Sequence, residues 1–175
     1  IEGLAACASS AVEDESLREA LESFLRSTIF RSLQRGHGAL IAVLDPGNTL
    51  PQEWVSQPGG LDGIRLDPPI DIAAAVRGFN SYETAEYLGG LISLADLLEG
   101  MLSADGITLL GSNGVLHGYN FFVRTSAQDN PLPSSLAGGA RRRAFQVLKG
   151  LVSRKQLTAA LFRSSDGATE FVGGE

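Results

Sequence analysis

The sequence predicts an α/β domain, a mixed central β-sheet flanked by helices. Three observations carry that prediction. Short apolar runs at 39–44, 107–110 and 159–163 each lie against a turn signal, the mark of buried strands. Longer segments at 16–35, 70–102 and from Arg141 onward repeat apolar residues at helical spacing between those strands. The chain has 175 residues, 43% hydrophobic and 19% charged, enough for one domain with a real core.

Taken in order, residues 1–15 are small and weakly patterned and are expected to be a loosely ordered N-terminus, leaving 16–175 as the single domain. Ser16-Leu17-Arg18-Glu19 reads as a capping box, in which hydroxyl and carboxylate satisfy free amides of a first helical turn. Leu17, Leu21, Phe24, Leu25, Thr28, Ile29 and Leu33 then follow one helical face, and Gly36 is a natural stop. Residues 39–44 form a buried strand ended by Asp45-Pro46-Gly47. Residues 46–70 hold five of the seven prolines and read as a long excursion, with Trp54 as an anchor or a stacking surface. Helical spacing returns from Ile70 to Leu102, and Gly89-Gly90 could either split that stretch or admit a close neighbour. A strand at 107–110, a turn at Gly111-Ser112-Asn113-Gly114 and a strand at 115–123 make a hairpin. A Pro- and Ser-rich loop covers 125–137. A helix follows Gly138-Gly139-Ala140, and a closing hairpin turns at Ser164-Ser165-Asp166-Gly167.

Composition excludes several function classes. A net charge of −6 argues against a nucleic-acid-coating surface, though not against a local basic pocket. One cysteine forbids an internal disulfide and a thiolate cluster, and predicts a reducing, cytoplasmic setting. Two histidines, His37 and His117, leave little room for a His-based metal site, and both read as turn or packed residues. Cys7 has no neighbour in sequence that would lower its pKa. No apolar run reaches the ~18 residues that span a bilayer, so no membrane contact is expected within the chain. Because it starts at Ile1, the chain reads as a piece that a larger protein could fuse to other domains. Glycine is in excess, 21 of 175, much of it in unperiodic pairs, which implies tight turns and close backbone approaches.

Two segments carry chemistry. Asp105-Gly106-Ile107 puts a carboxylate where a helix hands over to a strand, beside a glycine that lets a ligand approach. Such an acid can hold a divalent cation or a sugar hydroxyl, although Asp-Gly is also a common helix-ending turn. The other is Gly138-Gly139-Ala140-Arg141-Arg142-Arg143. The amides of a helix N-terminus bind phosphate, and three arginines there oppose the helix dipole by about 0.3–1 kcal/mol each unless an anion lies nearby. Each charge-assisted phosphate contact is worth roughly 1.5–3 kcal/mol, which outweighs that cost. Consecutive residues point in different directions, so at most two of the three can share a pocket. A solvated basic face is the plain alternative. The Ser164 and Ser165 hydroxyls could also face a phosphate.

The order of these pieces resembles the diadenylate cyclase (DAC) domain, whose members condense two ATP molecules into cyclic di-AMP on a mixed-sheet α/β fold. Its signatures, Asp-Gly-Ala and Gly-Thr-Arg-His-Arg, are matched by Asp105-Gly106-Ile107 and Gly139-Ala140-Arg141-Arg142-Arg143, within a resemblance covering 90–175. Gly36-His37-Gly38-Ala39-Leu40-Ile41 and Gly118-Tyr119-Asn120 are similar to a divergent branch of bacterial sensor domains, the DACNV type. By resemblance, Asp105 is the catalytic residue that handles metal (Mg²⁺ or Mn²⁺) and ribose hydroxyl. Gly106, Gly139, Ala140, Arg141, Arg142, Arg143 and Ser165 would bind nucleotide and phosphate. The departures are Ala140 for Thr, Arg142 for His, and Lys149-Gly150 where cyclases carry Ser-Glu. Groups that act as a unit fail together, so binding should outlast turnover. The resemblance and its departures therefore imply a nucleotide-binding sensor or regulatory domain, its ligand ATP, cyclic di-AMP or a relative. The alternatives are an active cyclase, which needs two sites facing each other in a homodimer, and an interaction module whose arginines dock an acidic partner.

Overall fold

A computed structural model describes residues 1–35, 38–45, 61–123 and 139–173. Among these residues the elements are α1 (Glu2–Ser9), α2 (Glu15–Gln34), β1 (Ala39–Leu44), β2 (Leu61–Asp71), α3 (Ile72–Tyr82), α4 (Ala85–Leu102), β3 (Ile107–Gly111), β4 (Val115–Val123), α5 (Ala140–Ser153), β5 (Ala159–Arg163) and β6 (Thr169–Gly173). The strands form one mixed sheet in the order β2-β4-β3-β1-β5-β6. β1 and β3 run parallel at its centre, and every other pairing is antiparallel. The α/β class read from the sequence is the class observed.

Alternation along the central strands builds two cores. Ala39, Ile41, Val43, Leu110 and Leu161 face a layer of α1 to α4, where Leu4, Leu21, Leu25, Ile29, Ile72 and Leu98 are buried. Leu40, Ala42, Leu44, Ile107, Leu109 and Phe162 face the other way, onto Phe145, Leu148 and Val152 of α5. A strand buried on both faces has no polar side, which is why 39–44 is continuously apolar.

Several boundaries differ from the sequence reading. Residues 1–15 are not loose: α1 buries Leu4, Ala5 and Ala8 against α2, β5 and β6. A helix this short is marginal alone and is held by packing, so its own pattern is weak. The cap of α2 is Asp14, whose carboxylate accepts the Leu17 amide at 3.1 Å, and Ser16 lies inside the first turn. Residues 61–70 of the expected excursion belong to edge strand β2, where Pro68 and Pro69 are tolerated because an edge need not donate on both sides. The 70–102 stretch breaks at Glu83 (φ 45°) and Thr84, which caps α4, and not at Gly89-Gly90. Among the described residues a Cβ at Gly89 or Gly90 would meet nothing within 4 Å, whereas one at Gly78 would sit 2.8 Å from the Tyr87 ring. Gly78 is thus the glycine through which α3 and α4 approach. Gly36, His37, Trp54, the 125–137 loop and Gly138 lie outside the described residues.

Candidate functional site

The apolar side of α5 cannot cover the whole sheet face beneath it, and a cavity of about 580 Å³ remains at one end. That end is where β1 and β3 begin and β4 and β5 finish. Its floor is Leu40, Ile107, Phe121 and Phe162, with Ala144 and Val147 of α5 as a wall. Its rim is polar: Asp105 and Gly106 from the α4–β3 corner, Gly139, Ala140, Arg141 and Arg143 from the start of α5, and Ser164 and Ser165 beyond β5. Phe145 and Phe162 stack at 5.6 Å between centroids and anchor α5 beside the floor. The size lies within the range of small-molecule sites, and an apolar floor with a few convergent polar groups is their usual make-up.

Seven of the eight residues singled out from the sequence therefore line one cavity, although 32 residues lie between Gly106 and Gly139. The eighth does not. Arg142 points away, its guanidinium 3.0 Å from the Glu170 carboxylate on β6, because a helix turns each successive side chain by about 100°. Arg142 thus lies outside the cavity lining.

The corner at Asp105 is built from its neighbours. Asn120 holds a left-handed backbone (φ 56°), and its side-chain oxygen accepts the Gly106 amide at 3.1 Å. A Cβ at Gly106 would come 2.4–2.7 Å from the Asn120 and Phe121 backbone. Gly106 is therefore required where it passes the Asn120–Phe121 backbone of β4, and it also lines the cavity. Among the described residues, a Cβ at Gly139 would meet nothing within 4 Å.

Charge at the rim is organised around one pair. The Arg141 guanidinium donates Nη2 to the Asp105 carboxylate and Nε to the Asp105 carbonyl at 3.2 Å. Its third nitrogen, Nη1, fills the notch left by Gly38, where a Cβ would sit 2.6 Å from it. Arg143 faces the same cavity, and among the described residues no side chain caps α5, whose first turn holds no acid. The opening amides of α5 and two guanidinium groups thus converge beside an apolar floor. In the turn, Ser164 donates to the Asp166 carboxylate, and that bond, with backbone amides, lowers the Asp166 pKa. Asp105 is the single carboxylate lining the cavity among the described residues, and these contain no cluster of three or more metal-type ligands. Such a donor set suits Mg²⁺ or Mn²⁺ only in company, the ion completed by water and a ligand's own phosphates.

Asn120 and Gly38 are positioning residues, which the sequence named only within the segments similar to the divergent branch and gave no role. Asn120 left a trace, since Asn is disfavoured inside a strand but adopts the left-handed conformation readily. The remaining candidates have other surroundings. His117 is half-buried on β4, where burial and then the Arg65 charge lower its pKa. Burial raises the pKa of Cys7, so its thiol is not activated. No helix among the described residues is long and apolar enough to cross a membrane. In comparison with known proteins, no family model matches the chain, and neither does any characterised protein.

Proposed function

We propose that this chain is a nucleotide-binding sensor or regulatory domain on a diadenylate-cyclase-like fold, with a retained pocket and eroded catalytic motifs. One observation carries the reading: segments 105–106 and 139–143, far apart in sequence, line one cavity with an apolar floor and a cationic rim. A nucleotide has the complementary make-up, a flat base to bury and phosphates to pair. In this reading the base lies over Phe121 and Phe162, and the phosphates meet Arg141, Arg143 and the opening amides of α5. Ala140, which lines the cavity, offers no hydroxyl to a phosphate, and Arg142 is engaged with Glu170. Both departures weaken turnover more than binding.

Isothermal titration calorimetry with ATP and with cyclic di-AMP tests the proposal. Binding is expected, and Arg141→Gln or Arg143→Gln should weaken it about tenfold, since a charged phosphate contact contributes about 1.5–3 kcal/mol. No heat with either ligand at millimolar concentration would sink it.

Asp105 favours a second reading, an active diadenylate cyclase, because its carboxylate stands at the mouth of the same cavity. A divalent cation bound there with the phosphates would supply charge stabilisation during phosphoryl transfer. Chromatography of a reaction with ATP and Mn²⁺ decides: cyclic di-AMP from the wild type and none from Asp105→Ala would displace the sensor reading.

A further inference from the structure

We infer that Asp105 is a built-in competitor for the anion site, its carboxylate occupying Arg141 until a ligand phosphate displaces it. The inference rests on the nucleotide reading above and concerns the regulation of that same site.

The geometry sets up a competition with a defined loser. Arg141 is held on three sides: by the Asp105 carboxylate, by the Asp105 carbonyl and by the Gly38 notch. Its side chain is 24% exposed, while that of Asp105 is 83% exposed. The arginine is therefore built into the cavity wall, and the carboxylate is the partner that solvent can take back. Asp105 cannot follow the guanidinium inward, because Gly106 is fastened to Asn120 and packs against its backbone. A carboxylate in so wet a position holds a cation only weakly. A phosphate arriving at α5 would gain Arg141, Arg143 and the opening amides of the helix together.

Asp105 also selects among ligands. It repels any anion that stops short of replacing it, so a terminal phosphomonoester or pyrophosphate, carrying about two negative charges near neutral pH, displaces it more readily than the singly charged phosphodiesters of cyclic di-AMP. Neutral nucleosides gain nothing from the exchange. The expected effect of removing this carboxylate is thus tighter anion binding, the opposite of what a residue needed to hold the ligand would show.

The test compares the wild type with Asp105→Asn and Asp105→Ser, titrated with ATP, inorganic pyrophosphate and adenosine in buffer containing a chelator, so that no cation contributes. Both variants should bind ATP and pyrophosphate about three- to fivefold tighter, as expected for release of one exposed ion pair, with adenosine unchanged. Unchanged or weaker pyrophosphate binding by the variants overturns the inference, and so does the absence of anion binding by any of the three chains. If pyrophosphate tightens while ATP binds to none of them, the competitor role stands and the nucleotide reading falls.

Discussion

Arg141 and Arg142 are adjacent in sequence and opposite in use, since one lines the cavity and the other leaves it for Glu170. Arg142→Gln should accordingly change ATP affinity by less than about twofold, against the roughly tenfold loss expected of Arg143→Gln. Titration calorimetry on the two variants separates them. The corner beneath Asp105 gives a second test. Asn120→Ala leaves the Gly106 amide without its partner and puts alanine at a left-handed φ, at a cost of about 1–3 kcal/mol in urea denaturation. Gly106→Ala should cost more, because the added methyl meets backbone that cannot step aside. At this scale the sequence disclosed which residue types matter. It did not disclose which way they point, because direction depends on the phase of a helix against a sheet.

Between elements, the least expected contact is a buried carboxylate. Glu99 of α4 is 1% exposed, and its two oxygens lie 2.9 Å from Arg31 and 2.9 Å from Arg35 at the end of α2. The arginines are 51% and 64% exposed, so the three charges differ in what they lose when left alone. Replacing both arginines strands a buried anion and should destabilise by about 3–5 kcal/mol. Glu99→Gln strands only cations that water can reach and should cost less. Chemical denaturation of the two variants reads that asymmetry directly. Asp14→Ala removes the α2 cap and should lower stability by about 1 kcal/mol. Helix α2 was legible because six apolar residues and Thr28 repeat along its face, whereas α1 and β2 were not. The first is too short to show a period, and the second is an edge whose exposed residues carry no alternation.

For the whole molecule, pH dependence follows from the half-buried histidine. Burial and the nearby Arg65 charge hold His117 below its ordinary value of 6.5, so near and below pH 6.5 the unfolded chain takes up a proton that the folded chain resists. Stability therefore falls as pH drops from about 6.5 toward the lowered folded value. Thermal unfolding between pH 7.5 and 5.5 should show the decline, and His117→Gln should flatten it. Asp166 acts in a separate, more acid window: its pKa is depressed from 3.8, so the stabilisation it provides is lost only as pH falls below that value.

The sequence by itself determined the α/β class, the central strands, the main helices and the two motifs at 105–107 and 139–143. Each of these is a local signal, written as an apolar period or a glycine beside a charge within a few residues. Tertiary structure alone decided that the two motifs share a cavity, that Arg142 is excluded from it, and that Asp105 pairs with Arg141. It also decided that Gly106 serves Asn120. Those facts depend on how the sheet brings β1, β3, β4 and β5 to one end and how α5 is rotated upon it. Contacts of that kind are set by packing across the two cores, and no spacing along the chain encodes them.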